Sequence, residues 1–161
     1  MQHTPPETIL IVEDEPLWQA NLTDLLHRAG FNVVSAFDYS DALNQLQRLS
    51  PLPALAIVDL DLPSSIPQEG WDGLRLLTVL REKGIFAIVV SVNTRQSAES
   101  LPARPEVYDV VDKVRFTAPD FEKYFIAKVH AAVGHAVLAR QAEGKLLEQQ
   151  DRLRRLDPPH S

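Results

Sequence analysis

Charged and hydroxyl side chains stand in this 161-residue chain where short apolar runs stop. Glu13, Asp14 and Glu15 follow Ile9–Val12, and Asp59 and Asp61 follow Ala54–Val58. Ser91 lies near the end of Ala87–Val92, and Asp112 and Lys113 follow Val107–Val111. Carboxylates gathered at one place repel one another, and a hard divalent cation relieves the repulsion. An all-oxygen site that keeps several waters and also takes a phosphate oxygen suits Mg²⁺. A carboxylate such as Asp59 can attack phosphorus there and become an acyl phosphate. Lys113 and the Ser91 hydroxyl would balance the charge on the remaining phosphoryl oxygens. Each residue alone has a plainer reading: Glu13 or Asp14 as the cap of a helix starting near Pro16, Lys113 as a solvated surface group.

The elements that must position these residues follow from periodicity. The four runs above, with Phe31–Ala36, are short and rich in β-branched residues, which favours buried strands. Between them, Leu17, Leu22, Leu25 and Leu26 are read as one helical face that stops at Gly30. Ala42, Leu43, Leu46 and Leu49 form a second face, with Ser40 as its cap and Ser50–Pro51 as its exit. Leu74, Leu76, Leu77 and Leu80 form a third, capped by Asp72 and ended near Gly84. A fourth, over Thr94–Leu101, is short and is cut off by Pro102 and Pro105. Alternating strands and helices with right-handed crossovers give an α/β, doubly wound parallel sheet. Ligands of such sheets bind beyond the carboxyl ends of the strands, where strand order reverses. That is where the polar residues fall.

The length allows one full-sized domain and a short appendage, and 45% hydrophobic residues suffice for a core. A net charge of −6 argues against sequence-independent nucleic-acid binding and suits a metal cation or a basic partner. The absence of cysteine excludes disulfides, thiolate metal sites and cysteine nucleophiles. The start, MQHTPPETILIVEDEP, has no secretory pattern, and no stretch approaches the roughly 18 apolar residues of a membrane helix. A cytoplasmic protein is expected. The five histidines show no metal-ligand spacing, and Arg152, Arg154 and Arg155 are offset by Asp151 and Asp157.

The segments ILIVEDEP, IVDLDLP, VVSVNT and VVDK resemble, in order and separation, the signature segments of bacterial response-regulator receiver domains. WDGLRLL resembles the start of that family's third helix, and the resemblance covers about residues 8–134. It implies a chemotaxis-regulator-like sheet of five parallel strands in the order 2-1-3-4-5. It also implies roles: Glu13 and Asp14 as the metal-binding pair, Asp59 as phosphoacceptor, Asp61 as a Mg²⁺ ligand through its backbone carbonyl, Ser91 as the switch hydroxyl and Lys113 as its phosphoryl partner. The implied donor is a phosphohistidine on a sensor histidine kinase or phosphotransfer protein, with acetyl phosphate as a small substitute. Such a chain phosphorylates and dephosphorylates itself and is not a turnover enzyme.

Four positions depart from the family's pattern. Val114 follows Lys113 where the family has proline, often cis; a cis bond here would cost about 2.5–4 kcal/mol, so a trans, differently shaped loop is expected. Val110 stands where a switching aromatic is common, and Tyr108 lies two residues earlier, on the same strand face by period-two counting, as its substitute or as a packing residue. Val92 is larger than the usual residue after Ser91 and should narrow access. The stretch 64–71, with Glu69 and Trp71, lengthens the loop after the phosphoacceptor, as surface decoration or as a lid or partner contact.

Beyond the receiver (8–134, after a tail of 1–7), a helical extension over 135–161 is expected. Apolar or small residues recur from Phe125 through Val129, Ala132, Ala136, Ala139, Ala142, Leu146, Gln149, Leu153 and Leu156 at near-heptad spacing, with one slip between Gly134 and Gly144. This reads as one long helix that leaves the domain and pairs with a second copy, or as an amphipathic helix that folds back or frays. An output domain is expected to be absent or to lie outside this chain. Two other readings stay open. One is a receiver-like interaction module that is never phosphorylated. The other is a haloacid-dehalogenase-type phosphatase, in which Asp59 and Asp61 would be nucleophile and acid–base.

Overall fold

The computed structural model describes residues 5–62, 72–92 and 101–156. Five strands, β1 (Thr8–Val12), β2 (Asn32–Ala36), β3 (Leu55–Asp59), β4 (Phe86–Ser91) and β5 (Val107–Asp112), form one sheet in the order β2-β1-β3-β4-β5. Every neighbouring pair is parallel. Helices α1 (Pro16–Arg28), α2 (Tyr39–Arg48), α3 (Asp72–Glu82) and α4 (Phe121–Leu156) cover its faces. Strand order reverses between β1 and β3, so the carboxyl ends of those two strands flank the crevice where an α/β sheet binds its ligand.

Burial explains the strand composition. All five residues of the central β3 are buried, as expected of a strand covered on both faces. One core layer joins Ile9, Ile11, Ile57 and Ile88 to α1 and to Phe125, Val129 and Ala132 of α4. The other joins Leu10, Val12, Val58 and Val89 to Ala42 and Leu46 of α2 and to Leu76, Leu77 and Leu80 of α3. α1 and α3 stop as expected: Gly30 and Gly84 take φ of 96° and 72°, a conformation that lets the following amide reach back to the last turn.

Two helix details differ from the sequence reading. Leu17 does not join the inner face of α1 and is 72% exposed; Gln19 takes that place, three residues before Leu22. The cap of α2 is Asp38, not Ser40: its carboxylate accepts from Asp41 N at 2.7 Å, while Asp41 accepts from Phe37 N at 3.0 Å. This reciprocal pair satisfies two free amides at once, which a serine one residue inside the helix cannot do. The stretch 64–71 lies outside the described residues, as does the expected fourth helix except for Leu101, which opens a 3₁₀ turn, Leu101–Ala103.

β5 carries a bulge. Ala87 pairs with Val107, but Ile88 pairs with Asp109, so Tyr108 is the extra residue. A bulge breaks period-two counting. Tyr108 therefore does not share a face with Val110: its ring lies 5.7 Å from His135 of α4, whereas Val110 packs in the α2–α3 layer.

α4 runs unbroken through Gly134 and Gly144. Ala136 is its last buried residue, and from Gln141 to Leu156 every position is exposed. Where it leaves the domain, Arg140 donates to the carbonyls of Leu52 (3.1 Å) and Pro53 (2.6 Å), just before β3. Arg140→Met keeps the stem and removes both bonds. It is expected to cost about 1–2 kcal/mol of stability and to speed amide exchange around residues 137–144, measured by hydrogen–deuterium exchange.

Candidate functional site

The strand ends bring the polar residues together. Glu13, Asp59, Ser91 and Lys113 are all buried at the rim of the sheet, and burial there forces each polar group to find a partner. Lys113 Nζ lies 2.9 Å from Glu13 Oε2 and 3.3 Å from Asp59 Oδ2. Asp61 N donates to Asp59 Oδ1 at 3.0 Å, holding the carboxylate from the loop side. The Ser91 hydroxyl donates to Asp61 Oδ2 at 2.9 Å. Neither Glu13 nor Asp14 caps α1; the N-cap is Glu15, whose side chain makes no cap bond, and its amide donates to Glu13 Oε1 at 3.1 Å.

Glu13, Asp14 and Asp59 each offer a carboxylate oxygen, and these oxygens lie within 4.8 Å of one another. Three hard oxygen donors in that space fit a magnesium-sized cation better than a softer metal, which would call for nitrogen or sulfur. Asp61 enters the site through its amide and its side chain.

The electrostatics follow from burial. Glu13 is pushed up to about 7, first by burial and further by the neighbouring Asp59 charge, with the Lys113 ammonium opposing. Asp59 is also raised by burial, against the pull of the Asp61 amide and Lys113. For Lys113 burial acts downward, but its bonds to Glu13 and Asp59 outweigh it and the net shift is upward. Carboxylates that bind protons more tightly when folded stabilise the fold at low pH and lose that contribution as pH rises. The metal-free protein is therefore expected to lose stability between pH 4.5 and about 7, the unfolded and folded values of Glu13. Glu13→Gln should flatten this slope in thermal melts across that range.

Two participants escaped the sequence reading. Gln19 Nε2 donates to the carbonyls of Glu13 (3.3 Å) and Ala36 (3.1 Å), tying the ends of β1 and β2 together. Its signal was a polar residue on the apolar side of α1, three before Leu22 and seven before Leu26. The second is Trp18, whose ring lies 5.0 Å from Lys113 Nζ and packs edge-on against Phe116 at 5.4 Å. Phe116 in turn meets Phe121 (4.8 Å) and Phe125 (5.0 Å) of α4. No local pattern marks that chain of rings. After Lys113 the peptide bond is trans, and Lys113–Thr117 forms a 3₁₀ turn capped by Asp112, which accepts from Val114 N at 3.0 Å. Val92, next to Ser91 in the chain, is 60% exposed.

A parallel sheet in this order, with an acidic cluster and a buried lysine at its carboxyl rim, defines a class, the receiver domains of two-component signalling. The chain belongs to that family: the response regulator receiver domain model matches residues 9–118. It is 32% identical over 133 residues to the phosphate regulon transcriptional regulatory protein PhoB of Klebsiella pneumoniae, covering 82% of this chain and 52% of PhoB. It is also 32% identical over 100 residues to the sensor protein TorS of Escherichia coli, covering 58% of this chain and 10% of TorS. The chain thus spans about half of the first and a tenth of the second. Among solved structures, a sensor protein from Polaromonas sp. JS666 superposes with a TM-score of 0.66 at 28% identity, over 82% of this chain and 99% of that one. A CheY-like receiver protein from Methanospirillum hungatei gives 0.65 at 19% identity, over 83% and 98%. Receiver domains accept phosphoryl groups, hold Mg²⁺ in an acidic pocket and meet sensor kinases or phosphotransfer proteins. Among the described residues no helix is long and apolar enough to cross a membrane.

Proposed function

We propose that Asp59 is the phosphoacceptor of this receiver, a cytoplasmic protein that takes its phosphoryl group from a phosphohistidine on a sensor histidine kinase or phosphotransfer protein. A carboxylate oxygen of Asp59 forms the new O–P bond as the N–P bond to histidine breaks, and the proton-accepting imidazole leaves on the donor. The observation that carries this reading is Lys113, buried and within 3.3 Å of Asp59 and 2.9 Å of Glu13. Its ammonium is placed to hold a phosphoryl oxygen once Asp59 carries one. The Ser91 hydroxyl, now spent on Asp61, can turn to a second. Glu13, Asp14, Asp59 and the Asp61 carbonyl would hold Mg²⁺, which supplies charge neutralisation between attacking carboxylate and phosphate. Hydrolysis of the acyl phosphate resets the site, so the chain turns over its own modification and no external substrate.

Receivers report their state through contacts, and two features support such a role here. The ring sequence Trp18–Phe116–Phe121 links Lys113 to α4 without the usual β5 aromatic. The outward half of α4 is exposed throughout, and we assign it to self-association. The test of the phosphoacceptor is intact mass after incubation with Mg²⁺ and acetyl phosphate. Wild type should gain one phosphoryl group, and Asp59→Ala or chelated protein none. If the wild type gains nothing from acetyl phosphate or from a cognate kinase, the chain is an unphosphorylated interaction module.

A further inference from the structure

α4 has two seams. The first, from Phe125 through Val129 and Ala132 to Ala136, is buried in the domain's own core. The heptad spacing then slips at Ala139, where the helix leaves the domain beside the Arg140 anchor. From there Ala139, Ala142, Leu146, Gln149, Leu153 and Leu156 repeat at three and four residues along a face that is exposed at each of these positions. Leu146, Leu153 and Leu156 are 55%, 65% and 79% exposed. Solvent-facing leucines at a and d positions call for a partner helix.

We infer that this second seam pairs with the same seam of a second copy as a parallel, in-register, two-stranded coiled coil. The inference rests on the self-association reading and adds its direction and register. Two features of the sequence decide the direction. With Leu146 and Leu153 at a, Gln149 sits at d. In a parallel pair each d residue meets its own copy, so two Gln149 amides can donate to and accept from each other. In an antiparallel pair Gln149 would face Leu146 of the other copy, leaving an amide unpartnered against a leucine. The flanks agree. Lys145 and Arg152 occupy g positions, and an antiparallel arrangement sets each against the other across the interface, twice per dimer. A parallel one sets Lys145 opposite Gln150 and keeps the two basic side chains apart. Small Ala139 and Ala142 at the domain end let the helices approach closely where they emerge. The two receivers then sit side by side at one end, both tethered through Arg140.

The absence of cysteine makes the test direct. In the full chain, Gln149→Cys should oxidise to a disulfide with its own copy, as should Leu146→Cys. A mixture of the two variants should yield self-pairs over mixed pairs. Sedimentation equilibrium of the wild type should give twice the 18.0 kDa chain mass, and Leu153→Glu should return it to the single-chain mass. Preferential mixed pairing would mean an antiparallel coil and overturn the inference while leaving self-association standing. A threefold mass would overturn two-strandedness. A single-chain mass at every soluble loading would remove both self-association and the coil, without touching the Asp59 result read by intact mass.

Discussion

Gly73→Ala is expected to lower unfolding stability by about 3 kcal/mol or more, although helix propensity alone predicts the opposite. Gly73 is the second residue of α3, and alanine there would gain about 1 kcal/mol of propensity. A Cβ at this position, however, would lie 2.6 Å from the carbonyl oxygen of Leu60, 2.9 Å from its Cα and 3.0 Å from its carbonyl carbon. All three are backbone atoms, so no side chain can swing aside. The start of α3 must retreat or the Leu60 backbone must move. Leu60 sits between Asp59 and Asp61, whose amide holds the Asp59 carboxylate. The variant should therefore also accept phosphoryl groups more slowly in whatever fraction stays folded. Urea unfolding at unchanged m-value reads the first effect, and the rate of mass gain with acetyl phosphate the second. A midpoint within about 0.5 kcal/mol of wild type would mean that propensity wins and the contact relaxes freely.

Gly73 also shows where sequence reasoning reaches and where it stops. The segment WDGLRLL marks the start of α3, but the reason for glycine is a contact with a backbone thirteen residues earlier, and no local pattern encodes it. The strands, their parallel order and the polar residues at their ends were legible because buried parallel strands are continuous apolar runs, and a run that ends in Asp or Lys declares its rim. Tyr108 was misplaced because counting by twos assumes an unbroken ladder, and the bulge at Ala87/Ile88 adds a residue that only pairing reveals. Leu17 was misread because leucine content was weighed above angle: five residues from Leu22, it points away from the face on which Gln19 lies. The Asp38 cap lay in plain sight as an Asp three residues before another Asp, without the Glu or Gln that the usual capping box carries. Trp18 and Phe116 meet across elements nearly a hundred residues apart, so their link to Lys113 exists only in three dimensions.

The second large effect concerns that lysine. Lys113→Met keeps most of the apolar stem and removes the ammonium that lies over the Trp18 ring and faces Glu13 and Asp59. Two buried carboxylates are left facing each other, and breaking a buried pair by removing one partner costs about 3 kcal/mol. The loss should depend on pH. With the ammonium present, Glu13 already titrates at about 7 in the fold; without it, only the Glu15 amide opposes burial and the Asp59 charge, and Glu13 rises further. Well below pH 3.8, the ordinary value of an aspartate, both carboxyl groups are neutral in folded and unfolded chains alike, and little is lost. Above about pH 7 wild-type Glu13 has ionised in the fold, whereas the folded variant still holds a proton that the unfolded chain gave up near pH 4.5, so the deficit against wild type widens. Added Mg²⁺ should narrow it, because a divalent cation between Glu13, Asp14 and Asp59 replaces the missing positive charge. Phosphoryl acceptance should not recover alongside stability, since the cation cannot also stand where Lys113 holds the phosphoryl oxygen. Thermal melts of both proteins at several pH values, with and without Mg²⁺, beside the mass assay, separate the two roles. A deficit that stays constant from pH 4.5 to above 7 would assign Lys113 to packing against Trp18, and a mass gain at the wild-type rate would remove it from the chemistry.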